Sequence, residues 1–296
     1  MCRLFGMSAG RERVKATFWL LDAPDSLSVQ SHREPDGTGL GWFDEAGRPL
    51  LSKQAIAAYG DAEFARRAHE LTSTTFVAHI RFASTGALEL RNTHPFEQDG
   101  RLFAHNGVIA DLPALDARLG DARELVRGDT DSERFFALIT REIAASGGDV
   151  EQGIAAACTW VARNLPLLAI NFVLIAPDGL WALRYPDTHE LHMLERESGS
   201  PLEHRSSLGS RIRSEHGAGK PLVVIASERM DADPAWRSLA PGELVHVTPS
   251  LAVRSRVLLD GPPARALTLA DLDPRGRASQ AATPVPGPRG QPASGS

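Results

Sequence analysis

Met1-Cys2-Arg3-Leu4-Phe5-Gly6-Met7-Ser8 opens the chain, a short apolar run with a cysteine in second place. Cysteine is small enough for cellular removal of Met1, which would leave Cys2 with a free α-amine. An α-amine titrates at roughly 7.7–8.0 and a thiol at about 8.5, so one residue can then hold both nucleophile and base. While Met1 is attached, that nitrogen is an amide and takes no proton. The competing reading is a buried strand cysteine. Four segments further along the chain decide between them.

Residues 79–86 read His-Ile-Arg-Phe-Ala-Ser-Thr-Gly, directly after Thr74-Thr75-Phe76-Val77. Residues 104–108 read Ala-His-Asn-Gly-Val, directly after Leu102-Phe103, and residues 128–133 read Gly-Asp-Thr-Asp-Ser-Glu ahead of a helical pattern. Residues 30–39 read Gln-Ser-His-Arg-Glu-Pro-Asp-Gly-Thr-Gly and lead into Leu40-Gly41-Trp42-Phe43. An N-terminal Cys, then Arg in a strand, then Asn-Gly, then Asp-Ser-Glu, resembles the glutamine-hydrolysing domain of class II glutamine amidotransferases. These are N-terminal-nucleophile hydrolases, and the resemblance covers about residues 2–250.

The resemblance implies hydrolysis of a γ-carboxamide through a glutamyl thioester on Cys2, whose α-amine would carry the proton. It maps an oxyanion hole onto the Asn106 side chain and the Gly107 N–H, each donor typically contributing roughly 10²–10³ in rate. Asn-Gly between apolar runs is equally a hairpin-turn signal. Arg81 is the candidate clamp for the substrate α-carboxylate, since a guanidinium makes a bidentate match that Lys cannot. On a strand it shares a face with His79 and Ala83. Ser84 keeps a hydroxyl that the family uses for the same carboxylate, whereas Thr85 stands where relatives carry His. Asp131 matches the family Asp that binds the α-ammonium, and it could also cap the helix after it. His105 completes the expected substrate-binding set. Arg33, Asp36 and Gly39 match a loop that closes over glutamine in the family. Asn92-Thr-His-Pro-Phe96 reads as a structural loop around substrate.

His79, His94 and His105 invite a metal reading, but their spacings of 15 and 11 match no compact zinc pattern. No metal and no cofactor are expected. A net charge of −5 and a pI near 6.1 give no basic footprint for nucleic acid. The longest apolar stretch, 165–176, is broken by Pro166 and Asn171 and is too short to span a bilayer. With no signal peptide and only Cys2 and Cys158, a reducing cytoplasm is expected.

The pattern predicts strands over 2–8, 40–43, 50–54, 75–83 and 102–105, with helices near 15–21 and from Asp61 to 71. Helices over 112–119, 132–145 and 150–164 come next. Strands return at 169–175, 180–184, 191–195, 222–226, 244–248 and 253–259. Strands, then helices, then strands is no βαβ alternation. It fits an α+β fold, the four-layer αββα sandwich of two stacked, mainly antiparallel sheets that the resemblance also implies. Residues 2–272 form that domain. Residues 273–296, with five Pro, four Gly and three Ser, read as a disordered tail.

The strand pattern ends near Leu259, with no second core and no nucleotide loop. That favours the stand-alone subgroup, which includes γ-glutamyl hydrolases of ergothioneine synthesis and of glutathione breakdown. Three functions are open: a γ-glutamyl amide hydrolase acting alone, a glutaminase subunit feeding ammonia to a separate synthase, and a silent regulatory module.

Overall fold

The structure, a computed structural model, describes residues 2–33, 36–81, 89–199, 203–205, 211–213 and 219–280. The first strands are β1 (Arg3–Ser8), β2 (Gly37–Phe43), β3 (Pro49–Gln54), β4 (Thr75–Arg81), β5 (Phe96–Gln98) and β6 (Arg101–Ile109). After the main helices come β7 (Pro166–Ala176), β8 (Gly179–Leu183), β9 (His192–Arg196), β10 (Glu203–Arg205) and β11 (Arg211–Arg213). The last are β12 (Leu222–Ala226), β13 (Arg237–Ser238), β14 (Glu243–Val247), β15 (Val253–Val257) and β16 (Arg265–Ala266). The helices are α1 (Leu27–Gln30), α2 (Ala62–Glu70), α3 (Leu112–Leu119), α4 (Asp131–Ala145), α5 (Val150–Asn164) and α6 (Pro274–Gln280).

One sheet runs β13-β9-β12-β1-β4-β2-β3 and the other β15-β14-β8-β7-β6-β5, with β16 beside β7. Every pair in them is antiparallel except β16 with β7. The period-two pattern of β1 explains the stacking. Leu4 packs with Val77, Leu102, Ala104 and Val173 between the sheets, whereas Phe5 and Met7 face outward against Phe18, Trp19 and Phe76. Full burial of each such side chain contributes about 1.5–3 kcal/mol. α4 and α5 cover the outer face of the second sheet, where Phe103 stacks on Phe136 with ring centroids 4.8 Å apart. The αββα sandwich is therefore as expected. No helix among the described residues is long and apolar enough to cross a membrane.

Some predicted elements are met in detail and others differ from the structure at informative places. Asp61 caps α2, accepting from the Glu63 and Phe64 N–H groups at 3.0 Å each, and residues 146–149 turn between α4 and α5. The helix expected near 15–21 is a single wide turn over Phe18–Asp22. The strand expected over 102–105 continues through Asn106 and Gly107, which pair with Asn171 and Ile170 of β7. The hairpin-turn reading of Asn-Gly is thereby replaced by a strand interior.

Residues 274–280, expected in the tail, form α6. The Asp273 carboxylate accepts the Gly276 N–H at 2.7 Å, and Arg277 donates to the Leu269 and Ala270 carbonyls at 3.0 and 3.1 Å. These polar anchors substitute for the apolar residues the segment lacks. Residues 281–296 lie outside the described residues.

Candidate active site

Inner-face residues of the two sheets are apolar in the middle of the sandwich and polar at one end. On β4, Val77 is followed by His79 and Arg81 at the two-residue period; on β6, Leu102 and Ala104 are followed by Asn106. Cys2 precedes Leu4 by the same period. The result is a pocket lined by Cys2, Arg81, His105, Asn106, Gly107 and Asp131, together with His79, His94 and Gln280. All the expected site residues come together there except Ser84, which lies outside the described residues.

The Asn106 side chain is fixed at both ends. Its Nδ2 donates to the Cys2 carbonyl oxygen at 2.6 Å and to Ser227 Oγ at 3.2 Å, while His79 Nε2 lies 3.3 Å from its Oδ1. Since an amide oxygen only accepts, His79 Nε2 carries the proton. Both Nδ2 hydrogens are engaged, so a ligand oxygen binding there has to replace one of those bonds. Ser227 Oγ also accepts the Leu4 N–H at 2.8 Å, and the Ser227 N–H donates to the Leu4 carbonyl at 3.1 Å. One serine just past the end of β12 thus ties the start of β1 to the Asn106 amide.

Gly107 is forced by close approach. Its φ is +150°, and a Cβ there would lie 1.8 Å from the Ala169 carbonyl oxygen. The β6–β7 register shifts just beyond, between Val108 and Ile109. At this irregularity the Ile109 N–H donates to Asp131 Oδ2 at 2.8 Å. Asp131 is the first residue of α4 rather than its cap. Thr130 caps the helix, its Oγ1 accepting the Glu133 N–H at 3.2 Å. Ser132 Oγ lies 2.9 Å from His105 Nδ1 and 3.4 Å from Asp131 Oδ1.

Burial dominates the electrostatics. His79 is held down to about 3, chiefly by desolvation and against its bond to Asn106. His94 falls well below its ordinary value and His105 below its own, again mainly by burial. All three imidazoles are neutral at pH 7. Rings of His79 and His94 pack 4.2 Å apart, so the convergence that the sequence spacing hides is one of ring faces. Among the described residues no group of three or more His, Cys, Asp or Glu is placed to hold a metal ion. Desolvation also lowers the Arg81 pKa, while Cys2 and Asp36 oppose it. The Cys158 thiol is buried in α5 and pushed far up.

Of the expected loop over 30–39, Gln30 ends α1 and Gly37–Gly39 begin β2. Arg33 lies in a cluster in which its Nη2 meets Asp25 Oδ1 at 3.0 Å and Glu228 Oε2 at 3.4 Å. Arg3 joins the same cluster, 2.6 Å from Glu228 Oε1. Burial pushes Asp25 up to about 6, with Glu228 adding to the rise and Arg33 opposing it. Asp36 donates its N–H to the Arg81 carbonyl at 3.1 Å. Gly39 abuts the 92–96 loop, since a Cβ on it would lie 1.8 Å from the His94 carbonyl oxygen. Sequence reasoning missed Ser132 and Gln280. A serine in the first turn of α4 carries a signal only once the helix start is known. A glutamine at 280, in a segment that reads as tail, carries none.

Residues 1–255 match the family described as class II glutamine amidotransferases. The chain is 28% identical over 253 residues to the putative glutamine amidotransferase YafJ of Escherichia coli, covering 82% of this chain and 96% of the relative. It is 30% identical over 260 residues to the gamma-glutamyl-hercynylcysteine sulfoxide hydrolase of Mycobacterium tuberculosis, covering 84% and 93%. Against the amidophosphoribosyltransferase of Synechocystis, 27% identical, it covers 47% of the relative. Among solved structures, glutamine phosphoribosylpyrophosphate amidotransferase from B. subtilis superposes with a TM-score of 0.62 at 16% identity, over 88% of this chain and 50% of that one. A class II domain protein from Silicibacter pomeroyi gives 0.57 at 19% identity, over 87% of this chain and all of that one. With its family matched over nearly the whole described domain, the chain belongs to the class II glutamine amidotransferases.

Proposed function

We propose that the chain, once it begins at Cys2, hydrolyses a γ-glutamyl amide through a thioester on that residue. The observation that carries this reading is the Asn106 amide, whose Nδ2 lies 2.6 Å from the Cys2 carbonyl oxygen inside a pocket that also holds Arg81 and Asp131. Opposite charges in one buried cleft suit the α-carboxylate and α-ammonium of a glutamyl group. The unpartnered ring nitrogens of buried His94 add polar capacity for such a ligand.

In the mechanism, the α-amine of Cys2 takes the thiol proton and Sγ attacks the γ-carbonyl carbon. The carbonyl oxygen becomes an oxyanion held by Asn106 Nδ2 and the Gly107 N–H. The C–N bond then breaks, the leaving nitrogen takes the proton from the ammonium, and a thioester remains. Water attacks the thioester, giving up a proton to the amine, and the Cys2 thiol leaves as glutamate departs.

The relative that is named a hydrolase, 30% identical and matched over 93% of its length, supports a hydrolase acting alone over a subunit serving a separate synthase. The test is product release by the Cys2-start protein over glutamine, glutathione and other γ-glutamyl compounds, with and without copurifying proteins. Release by the isolated protein, abolished in Cys2→Ala, is expected. No release from any of them, or release that survives Cys2→Ala, would overturn the reading. Release that needs a copurifying protein would shift it to the ammonia-supplying subunit.

A further inference from the structure

α6 reaches the pocket through its last residue, Gln280. At its end Gln280 is buried, and its Oε1 accepts from His189 Nε2 at 2.9 Å. His189 is itself clamped by the second sheet, its carbonyl accepting from Asn171 Nδ2 at 3.1 Å and Arg184 Nε at 3.0 Å. Asn171 is the cross-strand neighbour of Asn106. The Gln280 carboxamide is therefore anchored through His189 and Asn171 to the nucleophile end of the pocket. The free space in the pocket is about 20 Å³, room for about one water.

We propose that Gln280, fastened to His189, is a specificity-determining residue that walls the nucleophile end of the pocket and limits the group borne by the γ-amide nitrogen. This rests on the hydrolase reading above and names its substrate class: γ-glutamyl amides with a small leaving group. Shortening Gln280 opens space on the leaving-group side and leaves the clamp for the glutamyl moiety in place.

The test uses the full chain starting at Cys2, as wild type, Gln280→Ala and Gln280→Asn. For each, kcat/KM is measured on L-glutamine and on γ-glutamyl-p-nitroanilide. The ratio of bulky to small substrate should rise about tenfold or more in Gln280→Ala and by less in Gln280→Asn, which loses one methylene. Unchanged or falling ratios in both variants, with wild-type circular dichroism, would overturn the proposal. A second measurement needs no turnover: alkylation of Cys2 by iodoacetamide against a bulky maleimide, in the same proteins. Selective acceleration of the maleimide is expected, and equal acceleration of both reagents counts against the wall. A wild type that hydrolyses neither substrate, yet shifts its alkylation selectivity in the variants, refutes the hydrolase reading alone. A wild type that hydrolyses glutamine while neither ratio moves refutes the wall alone.

Discussion

Lowering the pH from 7.5 to 5 should destabilise the protein through His79, and His79→Gln should remove that part of the loss. Folded His79 is neutral because its pKa is held to about 3 by burial. In the unfolded chain it binds a proton below about pH 6.5. Between those values the unfolded state carries more protons, so stability falls as the pH falls. Linkage with these two values gives a loss of about 2 kcal/mol at pH 5 and about 4 kcal/mol at pH 3. Glutamine at 79 does not titrate and keeps an N–H donor for Asn106 Oδ1. His94 and His105 shift in the same direction and remain in both proteins. The assay is urea unfolding at both pH values. With a slope of about 3 kcal/mol/M, the wild-type midpoint should fall about 0.7 M further than that of His79→Gln. Equal falls in the two proteins would show that His79 is not held neutral by burial beside Asn106.

Four further outcomes are expected. A diazo-ketone analogue of glutamine should label Cys2 and not Cys158, a fixed N-terminal tag should abolish turnover without unfolding the protein, and peptide mass mapping with circular dichroism checks both. Asp131→Asn retains an oxygen for the Ile109 N–H, so its melting temperature should stay near wild type while kcat/KM on γ-glutamyl substrates falls by roughly 10–100-fold, the worth of a charge-assisted bond. Gly107→Ala should cost about 1–3 kcal/mol or more by driving its Cβ into the Ala169 carbonyl, read as a drop in the urea midpoint.

Local sequence accounts for whatever depends on neighbours a few residues away. The caps and periodicities of α2 to α5 are of that kind, as is the two-residue alternation that puts His79 and Arg81 on one face of β4. The order of Cys, Arg, Asn-Gly and Asp-Ser-Glu is legible as a set of candidates for the same reason. The remaining features come from long-range packing. Asn106-Gly107 has the local chemistry of a turn, and it is a strand interior because β7, some 60 residues on, supplies the pairing. Asp131 reads as a cap until the register shift at Val108/Ile109 turns the Ile109 N–H toward its carboxylate. Arg33 pairs with Asp25 and Glu228, two partners far apart in the chain. Gln280 is tied to the pocket through His189, 91 residues before it. Local backbone preferences act over one or two turns, but a pocket at the end of two stacked sheets is assembled from strand ends that no local signal relates.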